Sequence, residues 1–137
     1  IVNRLSAALI KFQDVKEGVW WQVTDKAGKE LNYLESSSSA MFLYALSKAA
    51  RKGYISGAYL PAIKKGYSGI IKNFVTTDSN GGVHYTKAVA GAGLGGKPYR
   101  DGSYEYYVNE PKRDDDLKAI GPFLQACIEY ELLFQKN

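Results

Sequence analysis

Residues 40–50 are apolar on almost every face of a helix, and this segment restricts the fold more than any other part of the chain. A helix with one apolar stripe can lie on a surface, whereas a helix that is apolar all round needs neighbours on several sides. The serines at positions 36–39 are typical N-cap residues and predict the start of this helix. We therefore expect a central helix that other helices surround.

The next segment predicts a helix of a different kind. Gly53 ends the first helix, and Pro61 suits the first turn of the second, where its missing N–H is not needed. Lysines at positions 64, 65 and 72 share one face of this second helix. The opposite face is apolar and consists of Tyr59, Ile63, Tyr67, Ile70, Ile71 and Phe74. We interpret it as an outer helix that is half in contact with solvent.

Two further helices are predicted near the ends of the chain. Apolar residues recur at helical spacing early in the sequence and predict a helix that runs to about Gln13, namely Leu5, Ala8, Leu9 and Phe12. The acidic residues 114–116 can cap a last helix, whose apolar positions are Ile120, Phe123, Leu124, Cys127 and Ile128. The expected fold class is mainly α, with about four helices that alternate between buried and half-buried kinds.

Short extended segments are expected between these helices. Residues 19–23 are rich in β-forming side chains and predict a short strand or an extended loop. Residues 83–86 alternate after a strong turn signal and predict a strand. Residues 103–108 are interpreted as a further extended segment, because Tyr104, Tyr106 and Val108 would then share one face. The helical array therefore carries short β insertions.

Length and composition exclude several classes of protein. A chain of 137 residues favours a single domain, 1–137, and 45% apolar with 23% charged residues is typical of an ordinary globular chain. The longest apolar run, 40–46, is far shorter than the roughly 20 residues that span a bilayer, so no membrane partner is expected. The net charge of +4 comes from scattered basic residues without interleaved aromatic residues, which argues against nucleic acid. The chain also opens without a start methionine or a signal peptide, and we expect a fragment or a processed product.

The single cysteine and single histidine restrict the chemistry further. Cys127 excludes an internal disulfide, and one Cys with one His does not make a tetrahedral zinc site, so no metal is expected. A lone thiol fits the cytoplasm and the periplasm alike. No nucleophile-elbow pattern surrounds any serine, so a Ser–His–Asp site is not expected and His84 is interpreted as a partly exposed strand residue.

A glycine motif in the second half of the chain lacks the context that nucleotide binding needs. Gly91, Gly93 and Gly96 match the spacing of a dinucleotide fingerprint. Lys97 and Pro98 follow them, however, where a helix N-terminus would have to receive the pyrophosphate. We therefore expect a tight loop and no cofactor.

A cluster after this loop combines a forked cation, carboxylates and aromatic rings: Arg100, Asp101, Ser103, Tyr104, Glu105 and Tyr107. A guanidinium pairs with a carboxylate through two hydrogen bonds, and an aromatic face suits the C–H side of a pyranose, so the cluster fits a sugar or uronate surface. The alternative is that Arg100 and Asp101 pair to brace the loop while the tyrosines fill the core. Trp20 and Trp21 pose a similar choice, with at least one indole buried and the other free to line a cleft.

Several separated motifs together resemble the unsaturated glucuronyl and rhamnogalacturonyl hydrolases of glycoside hydrolase families 88 and 105. These motifs occur in the same order as in that family and cover the chain from about Gln13. They are residues 18–23 (GVWWQV), 32–42 (NYLESSSSAMF), 93–96 (GLGG), 98–107 (PYRDGSYEYY) and 110–111 (EP), followed by Asp116, Lys118 and residues 121–123 (GPF).

The resemblance implies a fold and an activity. The fold is a six-hairpin (α/α)6 toroid, of which this chain would be a part, with inner helices lining a central cavity and outer helices around them. The family acts on 4,5-unsaturated uronic acids left by polysaccharide lyases. A protonating Asp and a water hydrate the enol ether, and the resulting hemiketal collapses and releases the neighbouring sugar, unlike the usual displacement by paired carboxylates.

The same resemblance places this chain in the C-terminal part of the family alone. The protonating Asp belongs to the N-terminal part, so no catalytic residue is assigned here and the chain is expected to be inactive alone. Asp101 and Glu35 match motif positions and are expected to brace loops or helix starts. The predicted substrate-binding residues, which would contact an unsaturated uronic-acid oligosaccharide, are Trp20, Trp21, Arg100, Asp101, Ser103 and Tyr104.

Two alternatives remain open from the sequence. The chain could be a non-catalytic carbohydrate-binding module, or a structural remnant without a ligand. In either case an isolated part of a ring would expose inner helix faces, and exposed apolar area of this kind predicts self-association.

Overall fold

The computed structural model describes residues 1–135, so Lys136 and Asn137 of the predicted domain 1–137 lie outside the described residues. The helices are α1 (Val2–Lys11), α2 (Ser36–Arg51), α3 (Leu60–Phe74), α4 (Tyr104–Asn109) and α5 (Leu117–Phe134). The strands are short: β1 (Val75–Thr77), β2 (Val83–Tyr85), β3 (Ala88–Val89) and β4 (Lys112–Arg113). The prediction of a mainly helical chain with short β insertions is confirmed.

Helices α2 and α5 lie side by side and run in the same direction. Near their C-terminal ends, the guanidinium of Arg51 in α2 donates to the Glu129 carboxylate in α5 at 2.7 Å. Near their N-terminal ends, the Lys118 ammonium of α5 donates to the Val89 carbonyl, and the Val89 N–H donates at 2.9 Å to Glu35, which directly precedes α2. The pairing of the two helices is therefore fixed at both ends.

Helices α1 and α3 run in the opposite direction to α2. Phe74 at the end of α3 packs edge-on against Tyr85, whose hydroxyl donates to the carbonyl of Ser36 at the start of α2. The end of α1 is tied to the same region, because the Trp20 indole N–H donates to the Leu9 carbonyl at 2.7 Å. Two parallel helices thus lie beside antiparallel ones, and α2 contacts α1, α3 and α5.

The core fills the space between α2, α3 and α5. Its fully buried side chains include Trp20, Leu43, Leu46, Ile63, Ile70 and Phe74. The prediction that residues 40–50 are covered on every side is wrong for the described residues, because Met41 keeps 40% of its surface exposed and Ala45 is also exposed. The predicted half-buried helix is confirmed as α3, with Ile63, Ile70 and Phe74 buried, although Ile71 of the predicted apolar face is 39% exposed.

The start of α2 differs from the sequence prediction. The helix begins at Ser36, and the cap is the carboxylate of Glu35, which accepts hydrogen bonds from the backbone N–H groups of Ser37 and Ser38. A glutamate reaches these groups here because its side chain is buried and turns back over the first helical turn. The serine N-cap prediction is therefore wrong: the cap residue is Glu35, one position earlier, and the capping group is a carboxylate instead of a hydroxyl.

The prediction of an extended segment at 103–108 is also wrong. Residues Tyr104–Asn109 form α4, and the Ser103 hydroxyl accepts from the N–H of Tyr106 at 3.1 Å, which is an N-cap. The tyrosine spacing suits either structure, and the cap decides in favour of the helix. The segment 19–23 is an extended loop with one bridge between Trp21 and Leu34. The strand predicted at 83–86 is confirmed as β2, which pairs antiparallel with β1.

Candidate functional site

The loops that carry the predicted site residues meet at the N-terminal ends of α2 and α5. One is the loop of residues 12–35, before α2, and the other spans 90–103, between β3 and α4. The first loop contacts α4, which directly follows the second loop: the Gln22 amide donates to the Tyr107 carbonyl at 3.4 Å, and the Glu30 carbonyl accepts from the Tyr104 hydroxyl at 2.6 Å. These contacts bring the two predicted groups of site residues onto one end of the helices.

Glu35 holds this end together. Its side chain is 1% exposed and accepts hydrogen bonds from the N–H and hydroxyl groups of both Ser37 and Ser38. It also accepts from the Val89 N–H at 2.9 Å, which ties the start of the glycine-rich loop to α2. The expectation that Glu35 braces a helix start agrees with this geometry.

The two tryptophans have different environments. Trp20 is 0% exposed, its indole N–H is bonded to Leu9, and its ring packs edge-on against Phe42. A side chain without exposed surface cannot contact a sugar, so Trp20 is removed from the predicted substrate-binding residues. Trp21 is half-buried, and its indole N–H donates to the Asp14 carboxylate at 2.8 Å. Of the pair, Trp21 alone offers surface to a ligand.

Arg100 does not pair with Asp101, so the prediction that these two side chains brace the loop as an ion pair is wrong. The Arg100 Nε donates to the Gly95 carbonyl at 2.9 Å, and the guanidinium lies against Gly93 and Gly96. A β-carbon on Gly93 would lie 2.5 Å from Nη1, so the glycines make room for the guanidinium. Within residues 1–135, no acceptor bonds the two terminal nitrogens, and the side chain is exposed.

Asp101 and Ser103 shape the turn into α4. The Asp101 carboxylate accepts from the Ser103 N–H at 2.9 Å, and this hydrogen bond lowers the pKa of Asp101 below its ordinary value. Ser103 then caps α4 through its hydroxyl. Asp101 is therefore ionised at neutral pH. Asp101 and Ser103 follow Arg100 closely in the sequence, and each makes a hydrogen bond within this turn.

Both the hydroxyl group and the ring of Tyr104 make contacts within the chain. Besides its hydroxyl bond to Glu30, its ring carries the Lys29 ammonium 3.7 Å from the ring centre. The partly buried Tyr106 fixes the glycine-rich loop in a similar way, because its hydroxyl accepts from the Gly93 N–H at 3.2 Å. A hydrogen bond with Glu110, with burial in addition, raises the pKa of Tyr106. These tyrosines position the loop that holds Arg100.

Two features of this end had no clear signal in the sequence. The Tyr33 hydroxyl is buried without a hydrogen-bond partner among residues 1–135, and burial together with the charges of Glu35 and Glu110 raises the pKa of Tyr33 to about 12. Its ring lies under the Lys112 ammonium, 4.3 Å away. Tyr99 differs from these packed tyrosines, since 76% of its surface is exposed. Tyrosine spacing alone does not separate exposed rings from buried ones.

A cleft lies next to the candidate site, because Asp14 in its wall accepts from the Trp21 indole N–H. This cleft of about 390 Å³ near the end of α1 also has Lys11, Lys16 and Asp25 in its wall, and none of the predicted substrate-binding residues line it. Within the described chain, no group of three or more His, Cys, Asp and Glu side chains is placed to hold a metal ion. None of the helices in residues 1–135 has the length and apolar character of a membrane span.

Comparison with known proteins gives a consistent result. The family model described as Glycosyl Hydrolase Family 88 matches residues 1–134. A curated relative, the 24.9 kDa protein in the picA locus of Rhizobium radiobacter, is 41% identical over 137 aligned positions, which cover 96% of this chain and 58% of that protein. The chain thus spans less than two thirds of that relative.

Solved structures share the fold of this chain. A family 105 glycoside hydrolase from C. acetobutylicum superposes with a TM-score of 0.89 at 43% identity, over 92% of this chain and 35% of that one. A possible member of family GH105 from Salmonella enterica superposes with a TM-score of 0.70 at 27% identity, over 93% of this chain and 29% of that one. This chain corresponds to about a third of each of these proteins.

Proposed function

Because the chain belongs to Glycosyl Hydrolase Family 88, we propose that it forms the substrate-binding part of an enzyme that hydrates 4,5-unsaturated uronic acids. These acids occur at the ends of pectin-type oligosaccharides after lyase cleavage. The observation that carries the proposal is Arg100, whose guanidinium is held on a glycine loop with both terminal nitrogens free among residues 1–135. Such a group matches a uronate carboxylate in geometry and charge.

The other proposed substrate contacts surround Arg100. Asp101, Ser103 and Tyr104 follow it at the start of α4, and Trp21 lies in the neighbouring loop. Asp101 and Ser103 have free acceptor capacity for sugar hydroxyls, since one carboxylate carries about four lone-pair sites and Asp101 uses one for Ser103. Trp21 offers part of an indole face.

We further propose that these 137 residues do not catalyse the reaction alone. The proton donor must be a carboxylic acid that is protonated near neutral pH, which requires a raised pKa. The pKa of Asp101 is lowered by its hydrogen bond with Ser103. Glu35 is enclosed and its oxygens already accept five hydrogen bonds. Neither Asp101 nor Glu35 therefore suits the protonating role.

Calorimetric titration with an unsaturated galacturonide tests the substrate proposal. We expect the wild-type chain to bind, and Arg100→Ala to abolish measurable binding because the carboxylate loses its partner. Lys97→Ala, which removes an exposed cation of the same loop, is the matched control and should bind like wild type. Failure of the wild-type chain to bind would favour a structural remnant without a ligand.

The ultraviolet absorbance of the unsaturated sugar tests the proposed lack of catalysis. Hydration removes the conjugated double bond, so activity lowers the absorbance. We expect no decrease with this chain alone. Binding without turnover is also the behaviour of a carbohydrate-binding module, and a measured decrease would contradict the proposal that the proton donor lies outside these residues.

We also propose the toroid fold and self-association of the chain, and both proposals start from the arrangement of the helices. Parallel α2 and α5 beside antiparallel α1 and α3 fit inner and outer helices of an (α/α)6 toroid, of which this chain forms part of the ring.

Along α5 a stripe of exposed apolar side chains is not covered by any other part of residues 1–135, namely Leu117, Leu124, Ile128 and Leu132. We propose that a second copy covers this stripe, since an apolar patch of this length favours association.

Light scattering with one charge substitution tests the second-copy contact. We expect a mass that rises toward that of a dimer with concentration, and Ile128→Lys to restore the monomer. Val15→Lys is the control, because Val15 is even more exposed than Ile128, at 86% against 58%, but lies in the loop after α1. A stable monomer of the wild-type chain at every concentration would contradict self-association.

A further inference from the structure

Residues 93–102 form a short arm at the N-terminal ends of α2 and α5. Gly95 and Arg100 pair their backbones in antiparallel fashion, with N–H to carbonyl distances of 2.7 and 3.2 Å. Residues 96–99 make the turn between them. The base of the arm is held by the Tyr106 hydroxyl, which accepts from the Gly93 N–H. The arm therefore has a fixed backbone although its outer side faces solvent.

Tyr99 is the aromatic side chain of this arm, and no contact in the described part of the chain accounts for it. Its ring is 76% exposed and has neither a hydrogen-bond partner nor a stacking partner within residues 1–135. Tyr104 lies only five residues further along the chain, but contacts with Glu30 and Lys29 fix its side chain. Of these two tyrosines near Arg100, Tyr99 keeps its face free for a ligand.

The neighbouring Arg100 defines what kind of ligand would meet this ring. Consecutive α-carbons are about 3.8 Å apart, and a tyrosine and an arginine both reach further than that. Their ends can therefore contact adjacent units of one extended ligand. A cation that directly follows an exposed aromatic residue in the sequence suits a sugar acid linked to a second sugar, because the cation pairs with the carboxylate and the aromatic ring packs on C–H groups.

We propose that Tyr99 stacks against the sugar ring next to the uronate whose carboxylate Arg100 binds. The arm then contacts a disaccharide through both Tyr99 and Arg100, and a single uronate through Arg100 alone. This assignment rests on the proposed function, since it takes the Arg100–uronate contact as given. It places the stacking role on Tyr99, which is not among the predicted substrate-binding residues, instead of on Tyr104.

The ratio of two affinities tests this assignment. Nuclear magnetic resonance titration, which measures weak binding, gives the affinity for galacturonate and for an unsaturated galacturonyl–rhamnose disaccharide. We expect wild type to prefer the disaccharide by about tenfold, at the upper end of aromatic stacking, and Tyr99→Ala to bring the ratio close to one. Tyr99→Phe keeps the ring and should keep the preference. Leu94→Ala, an exposed apolar residue of the same arm, is the matched control.

The outcomes separate this inference from the proposed function. An unchanged ratio in Tyr99→Ala, together with loss of both ligands in Arg100→Ala, would overturn the stacking role and leave the proposed function intact. Binding of neither sugar by wild type would overturn both. A change in the oligomeric state of Tyr99→Ala without a change in the ratio would show that Tyr99 contacts protein, and it would also overturn the inference. Thermal melts of each variant confirm that the fold is retained.

Discussion

Glu35 shows how one side chain connects the helices to the candidate site. Its carboxylate caps α2 and at the same time binds the Val89 N–H at the start of the glycine-rich loop. A buried carboxylate of this kind is stable only while its donors remain in place. The sequence motif around residue 35 predicted a bracing role, but serines at 36–39 hid the identity of the cap because they are themselves good capping residues.

Truncation of Glu35 should therefore be severe. We expect Glu35→Ala to lower the free energy of unfolding by about 3 kcal/mol, since it removes a cap and leaves buried N–H groups without an acceptor. Urea denaturation measures the change. Glu30→Ala, in an exposed stretch of the preceding loop, should change stability by less than about 0.5 kcal/mol. Equal effects of the two substitutions would contradict the role assigned to Glu35.

His84 fastens the β1–β2 hairpin through two carboxylates. Its Nδ1 lies 2.6 Å from Asp115 and its Nε2 3.2 Å from Asp78. The hydrogen bond to Asp115, followed by that to Asp78, raises the pKa of His84 above its ordinary value near 6.5, and the hydrogen bonds made by the two aspartates lower their own pKa values. The sequence predicted a partly exposed strand residue, which the structure confirms, but not these partners, which come from distant positions.

These shifts predict a pH window for the hairpin. The charged histidine stabilises the folded chain at pH values below about 6.5, and this contribution is lost as the pH rises through the raised pKa. The aspartates must also be ionised, so it disappears again as the pH falls below about 4. The melting temperature of wild type minus that of His84→Gln should be largest between these limits. A difference that is constant from pH 4 to 9 would contradict the ion-pair assignment.

At the level of elements, the helices with long apolar periodicity were predictable, and the short segment α4 was not. Helix α3 buries residues of the face that the sequence pattern marked, whereas α5 buries Ala119, Ala126 and Glu129 and leaves Leu124 and Ile128 of its predicted apolar face exposed. In α4, tyrosines at alternate positions satisfy both a strand and a short helix, and the choice depends on the Ser103 cap and on contacts to the loop of residues 12–35. Long-range contacts of this kind are not encoded in local spacing.

The packing of α3 against the loop before α2 gives a test at this scale. A β-carbon on Gly69 would collide with the Glu17 carbonyl oxygen and press on Val19, whereas one on Gly57 would meet Leu60 at 3.9 Å, an ordinary contact. We expect Gly69→Ala to destabilise the chain by about 2 kcal/mol through overpacking. Gly57→Ala should be neutral or slightly stabilising. Urea denaturation of both variants measures the difference, and a neutral Gly69→Ala would contradict this close approach.

For the whole molecule, the arrangement of helices places every remaining candidate residue at one end. At this end the loop of residues 12–35 contacts α4, which directly follows the loop of residues 90–103, and the sequence motifs had marked these segments without showing that they come together. Sequence resemblance supplied the family, and the matched proteins are larger than this chain. We therefore propose, as above, that the chain is part of a larger ring and that the proton donor lies outside these residues.

The sharpest test of a sugar site at this end of the molecule is a residue-by-residue map of amide chemical shifts during titration with an unsaturated galacturonyl–rhamnose disaccharide. We predict saturable shifts concentrated in residues 93–104 and around Trp21, and none at Arg51 and Glu129 near the C-terminal ends of α2 and α5. Absence of shifts at any concentration, or shifts confined to those C-terminal ends, would contradict a sugar site at the N-terminal ends of α2 and α5.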